Sequence, residues 1–154
     1  MKKRLLATAA ASMMFFAGQS AAEQATGTAQ FKLVQPITVT ETTVMEFGNI
    51  DISADGNCTL DYANTVTGAA CLAGGNTSES GVFTITANDG DVNVTLSGAD
   101  TSVAGVTFTP SIASSTVTVA SNTATLVVGG SIDIVAASAS SGDQTISYTV
   151  DVIY

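Results

Sequence analysis

The sequence predicts an all-β chain, an antiparallel β-sandwich of immunoglobulin-like type. Three observations carry that expectation. Apolar residues recur at every second position in short runs, turn residues separate the runs, and no stretch after residue 22 shows helical periodicity. Roughly seven to nine such runs in the chain after residue 22 match the strand count and size of a two-layer antiparallel domain.

The first residues follow a different rule. Lys2, Lys3 and Arg4 precede an apolar stretch from Leu5 to Ala17 and a small-residue site, Ser20-Ala21-Ala22. This is the pattern of a secretory signal cleaved after Ala22. The apolar stretch is shorter than the ~20 residues of a spanning helix and is interrupted by Thr8 and Ser12. Export from the cytoplasm is therefore expected.

After the signal, Ala29, Phe31, Leu33, Ile37 and Val39 keep one two-residue period across Gln35. The run exceeds an average strand of ~5 to 6 residues and is expected to serve two sheets. Met45 and Phe47 share one phase and Ile50 and Ile52 the other, with Gly48 at the flip, where a bulge or strand break belongs. Cys58, Leu60 and Tyr62 form the next run, before a Gly/Ala/Asn-rich surface loop from Thr67 to Ser80. Phe83, Ile85 and Ala87 lead through Asn88-Asp89-Gly90 into Val92, Val94 and Leu96, a hairpin pattern because these turn residues tolerate positive φ. Val106 with Phe108, Val117 with Val119, Ala124 with Leu126 and Val128, and Ile132 with Ile134 supply further strands. Asn122 and Gly129-Gly130 mark turns or bends, and Ala136 to Gly142 a small-residue loop. In the last run Ile146, Tyr148, Val150, Val152 and Tyr154 alternate with Thr145, Ser147, Thr149 and Asp151, a half-buried strand with no later segment to pair with. An apolar strand left at a sheet edge is an aggregation hazard unless it pairs with another chain.

Composition narrows the chemistry. The chain has no His and no Trp, and after residue 22 no Arg, which removes imidazole bases, guanidinium clamps and the best sugar-stacking ring. Cleavage would leave 13 acids against a single base, Lys32. Such a surface repels phosphate backbones and anionic lipid, so neither nucleic-acid binding nor peripheral membrane attachment is expected, and no membrane insertion is expected either. Cys58 and Cys71, alone in an exported chain, are expected to form a structural disulfide. Asp89 and Asp91 flank Gly90 but lack the further ligands of a calcium loop, so the turn reading is preferred to a metal site. Three Asn-x-Ser/Thr matches, at Asn57, Asn76 and Asn93, are at the level of chance in a Thr-rich chain. No enzyme activity and no cofactor are expected.

The runs Pro36-Ile37-Thr38-Val39, Phe47-Gly48-Asn49-Ile50, Phe83-Thr84-Ile85-Thr86, Val128-Gly129-Gly130 and the terminal Thr149 to Tyr154 resemble a family of small secreted bacterial domains of unassigned function. That family in turn resembles the pilins of chaperone-usher fimbriae and the spore coat U group. The resemblance implies a sandwich lacking one strand and completed by donor-strand complementation, first by a periplasmic chaperone at an outer-membrane usher, then by the N-terminal extension of the next copy. Mapped onto this sequence, it implies a donor extension over residues 23–34 and a pilin-like domain over residues 35–154. Ala25, Gly27, Ala29, Phe31 and Leu33 would be donor residues, and Ile146, Tyr148, Val150, Val152 and Tyr154 the acceptor groove. Here Tyr154 is terminal, whereas pilins carry an aromatic one place before the end, and Gly142 alone stands for the glycines expected ahead of the last strand.

The expected function is therefore a structural subunit of a fimbria-like homopolymer serving adhesion. A self-contained secreted β-sandwich acting as an adhesive or coat module is the rival. A small outer-membrane barrel is a further one, but its strands need ~9 to 11 residues each and the runs here are shorter.

Overall fold

The computed structural model describes residues 23–72, 74 and 77–154, so the expected signal lies outside the described residues. The chain divides into two units, Met1–Lys32 and Leu33–Tyr154. In the first, residues 23–32 are exposed and form no strand. The second holds nine strands: β1 (Thr38–Thr43), β2 (Gly56–Leu60), β3 (Val66–Thr67), β4 (Gly81–Thr86), β5 (Gly90–Leu96), β6 (Val106–Ile112), β7 (Thr116–Val119), β8 (Thr123–Ile134) and β9 (Val150–Ile153). All pairings are antiparallel. One sheet runs β1-β4-β8-β2-β3, with β6 also on β8, and the other runs β7-β5-β9.

The two sheets share one core. Ile85 of β4 and Leu126 and Val128 of β8 pack with Val92 and Val94 of β5 and Val119 of β7. These are the inward positions of the two-residue alternation, so the sandwich-like layering follows from the sequence period. A second cluster forms around Cys58, Ala70 and Ile134, with Phe47, Ile50 and Ile52 packed against it. Cys58 and Cys71 are bridged, Cα atoms 4.9 Å apart, which clips the loop after β3 onto β2.

Several expectations are corrected. Phe83-Ile85-Ala87 and Val92-Val94-Leu96 do not form a hairpin: β4 and β5 belong to different sheets, and Ala87 to Asp89 carry the chain between layers. Both elements alternate, but their apolar faces meet across the core instead of lying side by side. The carboxylates of this corner are structural, since Asp89 accepts from the Asn122 amide and Asp91 from the Thr118 hydroxyl, each at 2.7 Å. Gly129-Gly130 is not a turn but lies inside β8. There the strand changes partner, from β4 over Thr123 to Val128 to β2 over Gly130 to Ile134, while β6 runs alongside from Val128 to Ile134. Both glycines are required by close approach: a Cβ on Gly129 would stand 2.5 Å from the Leu60 carbonyl oxygen, and one on Gly130 2.8 Å from the Phe108 ring. Met45 to Ile52 forms isolated bridges, Glu46 to Glu79 and Ile50 to Cys71, instead of strands, and Gly48 breaks the run at φ 74°. The residues at Asn122 do make a turn, Ser121 and Asn122 holding φ 54° and 62°.

The long N-terminal run and the final run are both shorter as strands than their periodicity suggests. β1 starts at Thr38 because its partner β4 ends opposite it at Thr86 and turns away. Residues 33–37 then have no ladder to join, and Pro36 has no N–H to offer one. The final strand starts at Val150, not Ile146, because β5 ends at Leu96 and the chain leaves to bridge Asp100 with Phe108.

Two measurements check this packing. Gly129→Val should destabilise the domain by several kcal/mol, on the order of a severe core overpacking, read as a fall in the urea midpoint. Reducing the Cys58–Cys71 bridge should cost about 2–4 kcal/mol in the same titration.

Candidate functional site

The open features of the domain are its sheet edges. β9 pairs with β5 on one side only, and β1 with β4 on one side only. The two edges belong to opposite layers of the same core. Ile37 and Val39 from the β1 side and Val150 and Val152 of β9 pack on that core and stay partly exposed. The partly exposed apolar residues of these two edges constitute an apolar seam, and neither edge strand has a second neighbour among the described residues.

Tyrosines from the C-terminal segment cross this seam at both ends. Tyr154 donates its hydroxyl proton to the Gln35 carbonyl oxygen and accepts from the Asn88 amide at 3.1 Å. That fixes the C-terminus to the chain just before β1. At the opposite end Tyr148 turns inward, edge-on to Phe83 at 6.0 Å and to Phe108 at 5.7 Å, and Phe108 in turn meets Phe47 at 5.9 Å. Its hydroxyl lies against Gly81, where a Cβ would stand 2.5 Å away, which explains glycine there. That hydroxyl is buried with no hydrogen-bond partner among the described residues. Burial, and secondarily the negative charge of Glu41, push the phenol up to about 12.

The five expected acceptor residues thus separate into roles. Ile146 and Tyr148 are half-buried ahead of β9, Val150 and Val152 face the core from within it, and Tyr154 is exposed with its hydroxyl engaged. Ser147, Thr149, Asp151 and Ile153 occupy the outward face. The open stretch between the tyrosines is therefore Val150 to Val152, shorter than the sequence period alone indicated. Of the expected donor residues, Ala25, Gly27 and Ala29 are exposed, Phe31 is 81% exposed and Leu33 85%. None lies in a strand. The Gln35 carbonyl and Glu41 had no sequence signal, because one acts through its backbone and the other through a contact made only in the fold.

A shallow depression of ≈ 300 Å³ lies between Ser97–Asp100 and Ser147–Thr149, beside the Tyr148 end of the seam. Its acid, Asp100, is occupied by Ser102, whose hydroxyl and amide hold the carboxyl below its ordinary range. Among the described residues no group of three or more His, Cys, Asp or Glu is placed to hold a metal. No family model, curated protein or solved structure matches the chain.

The Tyr148 phenol generates a prediction. Its folded value lies above the ~10 of a free tyrosine, so the folded state holds the proton more tightly. The associated stability is complete below pH ~10 and falls as pH rises towards 12. Tyr148→Phe should remove that alkaline loss and leave neutral-pH stability unchanged or raised by about 1 kcal/mol, because it deletes an unpartnered buried hydroxyl. Urea midpoints at pH 7 and pH 11 for both proteins give the comparison. A variant several kcal/mol weaker at pH 7 would show that the hydroxyl has a partner.

Proposed function

We propose that this chain is the structural subunit of an extracellular, fimbria-like filament, and that copies join when the N-terminal extension of one fills the seam of the next. On this reading the domain is an immunoglobulin-like sandwich short of one strand. The observation that supports it is the pairing of two complementary defects in one chain. Core-facing residues of β1 and β9 stay partly exposed along an unpaired seam, and Phe31 and Leu33 stand in solvent on the segment ahead of β1. Each exposed set is costly alone, and each can bury the other.

Burial of Phe31 and Leu33 would contribute about 1.5–3 kcal/mol apiece, and main-chain hydrogen bonds along β9 would add to this, against the cost of ordering the extension. An inserted strand antiparallel to β9 gives the stronger ladder. It would then enter at the Tyr154 end and leave at the Tyr148 end, placing the donor's domain near Ser97–Asp100. The acceptor's own extension departs from Gln35, at the Tyr154 end. Entry and exit lie at opposite ends, so the contact is heterologous, and where its rotation does not close it propagates as a linear fibre. A periplasmic chaperone would cover the seam until that step, as the family resemblance implies. The disulfide fits an oxidising compartment.

A self-contained adhesive or coat module is the second reading, favoured by the two tyrosine bridges, which already narrow the seam. Deletion of residues 23–33 separates the two. As a filament subunit, the truncated chain should fold, fail to polymerise, and gain melting temperature on adding a peptide spanning Ala25 to Leu33. Phe31→Asp in the full chain should abolish filaments while leaving the domain folded, whereas Thr38→Asp, on the outward face of β1, should have a smaller effect. A truncated chain that forms normal fibres rejects the donor role. A stable monomer whose melting temperature ignores the peptide supports the closed module.

A further inference from the structure

The chain offers one cation outside residues 1–22, Lys32, among 13 acids, and it stands between the two large apolar residues of the extension, Phe31 and Leu33. Resting on the donor-strand reading above, we infer that Lys32 of one copy pairs with Asp151 of the next, and that this ion pair fixes the register of the inserted strand.

Parity limits the choices. Residues directly opposite in a sheet share a face, and successive residues alternate. If Phe31 and Leu33 face the core, Lys32 faces outward and meets an outward residue of the C-terminal segment. The outward residues are Ser147, Thr149, Asp151 and Ile153. Only Asp151 carries a charge opposite to that of Lys32.

Packing selects the same register. With Lys32 opposite Asp151, Leu33 lies opposite Val150 and Phe31 opposite Val152, the two partly exposed apolar positions of β9. A slip of two residues one way sets Leu33 opposite Tyr148, whose ring is committed to Phe83 and Phe108. A slip of two the other way sets Phe31 opposite Tyr154, whose hydroxyl is committed to Gln35 and Asn88. Ala25, Gly27 and Ala29 are too small to distinguish these registers by shape. Across the seam β1 presents outward Thr38 and Thr40, both uncharged, and Glu41 sits at the bulge of β1, near the Tyr148 hydroxyl. A register device matters here because strands with few large side chains slip easily.

Charge reversal in the exported full chain tests the pairing, read as detergent-resistant ladders and as fibres by electron microscopy at low salt. K32E and D151K should each reduce assembly by about three- to tenfold, since each sets like charges opposite one another, and the loss should shrink in 1 M salt. The thermal melt of each monomer should match that of the unaltered chain, both sites being exposed. The double variant K32E/D151K should recover assembly. Mixing the two single variants should also recover it, as a copolymer in which the two alternate, because only the mixed joints set opposite charges together. Full assembly by each single variant, or rescue of K32E by E41K instead of D151K, would overturn the pairing while leaving the donor reading intact. Failure of the unaltered chain to assemble would overturn both.

Discussion

The close approach of backbone at Gly129 and Gly130 is the constraint from which the rest of the domain follows. Without side chains there, β8 receives Leu60 of β2 against one glycine and the Phe108 ring of β6 against the other. One strand can then serve β4 along its first half and two further strands along its second. Phe108, seated over Gly130, becomes the surface on which Tyr148 packs, and Tyr148 in turn holds the approach to β9. The position of the last strand, and with it the unpaired edge, thus depends on two missing methyl groups in the middle of the other sheet.

Much of this was legible in the residues. The all-β class, the inward positions of β4, β5 and β8, the disulfide and the turn at Asn122 were expected from period, composition and turn chemistry, and the structure has each. The errors share one cause. Alternation reports which face of a strand is apolar but not which strand lies beside it. Phe83-Ile85-Ala87 followed by Val92-Val94-Leu96 looks the same whether the two segments pair or face one another across a core. Gly129-Gly130 likewise signals a special backbone position, and only tertiary contact distinguishes a turn from a close crossing. The edge strands begin later than their periodicity because a strand needs a neighbour, and β4 and β5 have turned away by then. Of the candidate site, the alternation that turns Ile37, Val39, Val150 and Val152 towards the core was visible. The tyrosine bridges, which need Gln35 and Gly81 as partners, were not.

Electrostatics shape how such a chain can associate. Copies bearing 13 acids each repel at long range, which disfavours side-by-side aggregation; on the proposed reading, a narrow insertion that buries few charges is the mode of association. The outward residues of the C-terminal segment are polar apart from Ile153, while its inward residues are apolar. A donor strand, on that reading, would meet an edge that discriminates by period. The proposed assembly would use three properties together: an acidic surface, two sheet edges with no second neighbour among the described residues, and exposed apolar residues ahead of β1.

On the proposed reading, the strand beside β9 comes from another copy. Solid-state NMR on fibres grown from an equal mixture of ¹⁵N-labelled and ¹³C-labelled chains tests it directly, because a ¹⁵N–¹³C contact then requires two molecules. Such contacts are expected between residues 31–33 and residues 150–152. Contacts between those segments that vanish in the mixed sample, and persist when a doubly labelled chain is diluted into unlabelled chain, would place the extension in its own sheet and contradict the account.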